Sequence, residues 1–225
     1  MSRISPVHVT GVRISHVRDW GRLTPGFAGR ASGGDNAGVD DDEEFAWDEF
    51  WGNLWPVWRR VLAGTDAEEP PPAEPILRRR RLTTDYAWVG TFEPVRWLTS
   101  VTEALLWDDN GMDLGPLAGR PWELLQLAGP ASNIDLAQLS GTPVRRLILS
   151  DVDVDGLSSL KDIVGLESLT LAHGDFGPLP PLDRLAEVVL YAEGEVDLSA
   201  ARPGLRVVRR DEIYLPPFGP DEVGV

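Results

Sequence analysis

The residues that could do chemistry gather in one acidic stretch. Asp151, Asp153 and Asp155 alternate with valines, Gly156 follows, and Asp162 stands eleven residues after Asp151. Acids at positions 1, 3, 5 and 12 around a turn glycine are the spacing with which a loop between two helices wraps a calcium ion. The flanks suit that ion poorly. RRLILS before the stretch reads as a strand, Asp162 is shorter than the usual bidentate Glu, and Val152 and Val154 occupy positions that are normally polar. The segment is therefore read first as a turn between repeating units, because DDNGMD at 108–113 and HGDF at 173–176 hold corresponding turns. A calcium-dependent module is kept as the alternative reading, and no metal site is assigned.

Little else points to catalysis. GxSxG, GxxxxGK[ST] and HExxH are all missing from the sequence. His173, with Asp175 and Asp151 as possible neighbours, reads as a turn residue and not as a catalytic base. His8 and His16 lack a third ligand. Zero cysteines exclude disulfides, thiolate metal sites and cysteine nucleophiles. No catalytic residue, cofactor or enzyme activity is expected. A net charge of −15 argues against nucleic acid and suits a basic protein partner. No apolar run approaches a membrane span, and MSRISPVHVTGVRIS has no signal-peptide core, so a cytoplasmic protein is expected and no membrane contact.

The elements that must position these residues come from a period. Val144, Leu147 and Leu149 recur as Leu166, Leu169 and Leu171, 22 residues on. Leu157, Leu160 and Ile163 recur in the same way as Leu179, Leu182 and Leu185. Trp122, Leu125 and Leu127 precede Val144 by 22, and Val101, Ala104 and Leu106 lie a further 21 upstream. Leu185, Val188 and Leu190 follow Leu166 by 19, and Leu205 with Val208 follow by another 20. A fixed period of this length implies units that bury their apolar edges against one another.

This pattern resembles the leucine-rich repeat family of bacterial type, whose unit is LxxLxLxxNxL followed by a second apolar segment. The resemblance covers roughly Val101 to Arg210, about half the chain. It implies an α/β solenoid of about five repeats with parallel strands on a concave face. The family's Asn is not kept: Asp109, Pro130, Val152 and Gly174 stand there, so the turns must close some other way. The resemblance also assigns the concave face. Its middle row would be Leu105, Gln126, Ile148, Thr170, Val189 and Arg209, and its next row Trp107, Ala128, Ser150, Ala172, Tyr191 and Asp211. Asp108, Asp151, Asp153, His173, Asp175, Glu193 and Glu195 would border them. An apolar and aromatic centre with a charged rim is the anatomy of a protein-binding surface, of the kind an inhibitor or immunity-type factor presents. Either a partner covers this face or the chain's own amino-terminal segment folds over it.

The remaining chain divides at its composition shifts. Residues 1–40 read as an arm, with short strands around Val7, Val9, Val12 and Ile14, and a glycine-rich linker. Residues 41–97 hold an acidic run, a Trp-rich helix and a Pro-rich linker. Trp47, Phe50, Trp51, Leu54, Trp58, Val61 and Leu62 fall on one helical face, and Pro56 should break the helix near Trp55. That face is expected to cap the solenoid, with Trp47, Trp51 and Trp58 near Trp97 and Trp107; docking on a second copy would make a self-associating structural protein instead. Arg78 to Arg81 read as local compensation for the acids at 40–44. Residues 98–213 form the repeat domain and 214–225 a tail.

Overall fold

Alternating apolar residues in short segments, each followed by a return of a dozen or more residues, can satisfy their backbone only by parallel pairing with the next segment. That is the arrangement in the computed structural model, which describes residues 46–84, 89–107, 111–129, 133–154, 156–191 and 194–211. The arm and linker at 1–40, the acidic run at 40–44, the tail at 214–225, and Asp108, Asp109, Pro130, Asp155 and Glu193 lie outside the described residues.

The strands are β1 Arg81–Thr83, β2 Glu103–Trp107, β3 Leu124–Ala128, β4 Asn133–Ile134, β5 Arg146–Ser150, β6 Asp153–Val154, β7 Ser168–Ala172, β8 Asp175–Pro178, β9 Glu187–Tyr191, β10 Glu195–Asp197 and β11 Arg206–Arg210. Seven of them form one parallel sheet in the order β1-β2-β3-β5-β7-β9-β11, giving an α/β fold with few helices. Its register follows the spacing of the leucines. Ala104 pairs with Leu125, Leu125 with Leu147, Leu147 with Leu169, and Leu169 with Val188. These residues, and Leu106, Leu127, Leu149, Leu171 and Leu190 two positions on, are all buried. Each buried leucine contributes roughly 1.5–3 kcal/mol relative to exposure. Between strands the chain returns through 3-10 helices at Glu93–Trp97, Gly115–Leu117, Leu136–Leu139 and Leu157–Asp162, which bury Val95, Leu117, Leu139, Leu157 and Leu160 against the back of the sheet.

Two strands depart from the expected register. The last step is 19 residues and not 20: Val207, not Val208, pairs with Val188. Val208 and Arg210, rather than Arg209 and Asp211, therefore continue the outward rows. Two adjacent valines fit either register, and a slip of one residue exchanges the faces. The first strand lies within the arginine run. Leu82 is its buried residue, in register with Ala104. Three of the four arginines pair with nearby carboxylates. Arg78 pairs with Glu74 at 2.9 Å, Arg80 with Glu123 at 2.9 Å and Arg81 with Glu103 at 2.6 Å.

The tryptophan segment forms α1 Trp47–Asn53 and α2 Pro56–Ala63, broken at Trp55 (ψ 151°), because a residue before proline is pushed to extended backbone. Gly64 ends α2 in the left-handed region at φ 69°. Arg59 turns back to the end of α1, donating from Nε to Trp51 O and from Nη2 to Gly52 O, each at 3.2 Å. Trp51 and Trp58 are buried, whereas Trp47 and Trp55 remain half-buried. Their contacts are specific. Phe50 lies 6.3 Å from the Trp97 ring, Trp58 Nε1 donates to Thr91 O at 2.8 Å, and the Trp55 ring packs so closely on Gly90 that no Cβ fits there. The segment at 65–72 is held down: Trp51 Nε1 donates to Ala67 O at 3.2 Å and Trp47 Nε1 to Pro71 O at 2.8 Å. Residues of that segment lead into α3 Ala73–Leu77.

Arg120 fastens the return before β3. Its guanidinium donates to the carbonyls of Val95, Leu98 (2.6 Å) and Val101 (3.0 Å) and lies 4.9 Å over the Trp122 ring. Burial lowers its pKa below the ordinary arginine value, yet a guanidinium stays charged throughout the range in which proteins fold. Arg120→Lys keeps the charge but cannot fork to three carbonyls. It should cost about 1.5–3 kcal/mol in urea unfolding. A variant as stable as the wild type would show that other donors serve those carbonyls.

Candidate functional site

Strand alternation fixes which side chains leave the core. With Leu125 and Leu127 turned inward, Gln126 must face outward, and the same logic gives the row Leu105, Gln126, Ile148, Thr170, Val189 and Val208. The next row is Trp107, Ala128, Ser150, Ala172, Tyr191 and Arg210. The expected site residues are thus brought together on one face, but that face is not an open ladder. Gln126, Ile148, Ser150, Val189 and Tyr191 are buried within the chain itself. Leu105, Trp107, Thr170 and His173 are partly exposed, and Asp151 and Asp153 are exposed. Asp175 contributes its backbone to β8, and its side chain lies outside the described residues. At the far end, Ala172, Val189 and Tyr191 form a small apolar cluster of their own with Val208 against it, and the Arg210 guanidinium sits 5.9 Å from the Tyr191 ring.

The two rims of the face differ in charge. Where the strands begin, opposite charges stand on neighbouring strands and neutralise one another. Arg81 pairs with Glu103, Arg145 with Glu167 at 2.8 Å, and Arg206 with Glu187 at 3.2 Å. The hydrogen bond to Glu167 raises the Arg145 pKa above its ordinary value. A groove of about 440 Å³ runs between Arg145, Arg146, Glu167, Glu187 and Arg206. These pairs were legible in principle, since Arg81 and Glu103, like Arg145 and Glu167, stand 22 residues apart.

Where the strands end, the described acids Asp151 and Asp153 have no such pairing among the described residues. Asp151 and His173 follow Ser150 and Ala172 directly, and both adopt left-handed backbone, at φ 54° and φ 52°. Asp and His tolerate this region better than branched residues do. The Asp151 N–H donates to Ala172 O at 3.1 Å, and its carboxylate accepts from Ser150 Oγ at 3.0 Å. The chain then enters β6, which pairs with β4 through Asn133–Asp153 and Ile134–Val154. A second small ladder joins β8 to β10. These backbone ladders follow the strand ends, and Val152 and Val154 are buried while Asp153 faces solvent. Neither Asp151 nor Asp153 forms an ion pair among the described residues.

The calcium spacing meets a different geometry. Asp153 lies in a strand and Asp162 ends a 3-10 helix, so the segment is not one continuous loop. Among the described residues, no group of three or more His, Asp or Glu is arranged to hold a metal ion. No helix among them is long and apolar enough to cross a membrane. No family model, curated protein or solved structure matches the chain.

One residue of the face costs stability without return inside the chain. Gln126 is 1% exposed, and among the described residues neither its Oε1 nor its Nε2 has a hydrogen-bond partner. Leu105 and Ile148 flank it in its row. An unsatisfied buried amide costs about 1–3 kcal/mol, whereas an apolar side chain of similar size costs nothing comparable. Gln126→Leu should therefore raise stability by roughly 1–2 kcal/mol, read as a melting temperature a few degrees higher. A lower melting temperature would mean that the amide is satisfied in solution.

Proposed function

We propose that this chain is a solenoid of the leucine-rich repeat type, capped on its β1 side by the tryptophan helices, which works in the cytoplasm as a protein-binding module for a basic partner. The partner is engaged at the rim where the strands end, over Asp151, Asp153 and His173, with Thr170 and Leu105 supplying the apolar floor. The observation that carries this reading is the asymmetry of charge. The rim where strands begin holds carboxylates and arginines in pairs, while Asp151 and Asp153 are solvent-exposed and form no ion pair among the described residues. In a chain of net charge −15, this rim attracts a cationic surface, speeds encounter and disfavours acidic competitors.

The strand register supports the solenoid reading, since successive parallel strands follow one another at steps of 19–22 residues. The cap reading is supported by burial of Trp51 and Trp58 and by the contacts of Phe50 and Trp58 with residues just before β2. The burial of Gln126, Ile148 and Val189 favours the rim, not the middle of the face, as the contact surface.

The test compares affinity capture by the wild-type chain, by Asp151→Asn/Asp153→Asn and by the opposite-rim control Glu167→Gln. The wild type and the control should retain the same basic protein, with salt-sensitive affinity. The double variant should bind it about three- to tenfold more weakly, chiefly through slower association. An acidic captured protein, or equal binding by all three chains, would overturn the reading.

A further inference from the structure

The sheet ends differently on its two sides. On the β1 side the strand is three residues long, and α2 holds its flanks: Arg79 Nη1 donates to Val61 O at 3.4 Å and Trp58 to Thr91 O at 2.8 Å. On the other side β11 is five residues long and, among the described residues, has only β9 as a neighbouring strand. Each of β2, β3, β5, β7 and β9 buries an apolar residue at its two inward positions. In β11 those positions hold Val207, which is 40% exposed, and Arg209, which is exposed. The stack thus stops at an unfinished unit.

The backbone of β11 shows how that unit can be continued. The Arg206 N–H donates to Ala186 O at 3.1 Å, so Arg206, Val208 and Arg210 turn their N–H and C=O toward β9. Val207 and Arg209 then turn theirs away, and among the described residues neither bonds to a further strand. Such an edge is a template for another strand, and proteins guard it with charge, including charge pointing inward. Arg206, Arg209 and Arg210 provide that guard in an otherwise acidic chain. A second copy offering its own β11 would set arginine against arginine, which destabilises cross-strand pairs. An acidic strand would do the reverse.

We infer that β11 is a strand-addition site for an extended acidic segment of a partner protein, which pairs its backbone with Val207 and Arg209, covers Val207 with an apolar residue and sets carboxylates against Arg206, Arg209 and Arg210. Main-chain bonds supply affinity in this mode, and side chains supply selection. The site is separate from the strand-end rim, and its partner chemistry is opposite in sign.

Two labelled peptides test it by fluorescence anisotropy, one with the core Glu-Val-Val-Glu-Glu and one with the core Lys-Val-Val-Lys-Lys. The acidic peptide should bind the full chain and the basic one should not. Val207→Pro removes an N–H that points away from β9, so it spares the existing ladder while blocking the added strand. It should abolish acidic-peptide binding with an unchanged circular dichroism spectrum. Arg209→Glu covers the case in which the proline variant fails to fold. It should weaken the acidic peptide about tenfold and admit the basic one. Asp151→Asn/Asp153→Asn should leave acidic-peptide binding intact, which separates this site from the strand-end rim. Equal binding of both peptides, acidic binding that survives Val207→Pro, or sedimentation showing dimers lost in Val207→Pro would each overturn the inference, the last by assigning the edge to a second copy.

Discussion

The inward leucines of each strand have nowhere to go except against the next strand. A five-residue strand with one apolar side cannot bury that side alone, and its return passes through a short 3-10 helix after β2, β3 and β5 or through a short strand after β7 and β9. Leu147 is buried because Leu125 and Leu169 flank it, and each of those depends in turn on its own neighbour. Stability is therefore shared between adjacent strands of the sheet. Everything else in the molecule answers the two problems that this arrangement creates: how to close the turns and how to finish the ends.

The turns close by backbone. After β5 and β7 the chain turns through left-handed Asp151 and His173, and the short ladders β4–β6 and β8–β10 follow. One consequence is chemical. The acids that remain at the strand ends are not consumed by the turns and stay available to solvent. The ends are finished unequally. Trp55, Trp58 and Phe50 pack on Gly90, Thr91 and Trp97 before β2, and arginines stand along β11 at the other edge. Charge suits a side that keeps its hydrogen-bonding groups exposed.

Much of this was legible because it follows from periodicity and local backbone chemistry. Leucine spacing gave the register of five successive strands, and Pro56 gave the break at Trp55. What escaped were features decided by competition between equally good local patterns. Val207 and Val208 both satisfy the apolar rule, and only the hydrogen bonds to β9 choose between them. Leu82 sits among arginines, so its strand carries one apolar residue and no alternation to recognise. The burial of Gln126 and Ile148 was equally hidden, since alternation tells which way a residue points but not what lies above it. The opposite charges one period apart were visible, yet meaningful only once the strands were known to be neighbours.

Adjacent residues of one strand provide the sharpest measurement. Leu169 is fully buried on the core side of β7, and its neighbour Thr170 is half-exposed on the other. An aspartate at the first position buries an unpaired carboxylate at a cost of several kcal/mol, and at the second it reaches water. If the inward leucines hold the stack together, Leu169→Asp should abolish the cooperative thermal transition, while Thr170→Asp should melt cooperatively within a few degrees of the wild type. Indistinguishable melts for the two variants, or a cooperative near-wild-type transition for Leu169→Asp, would contradict the alternation and register on which the whole arrangement rests.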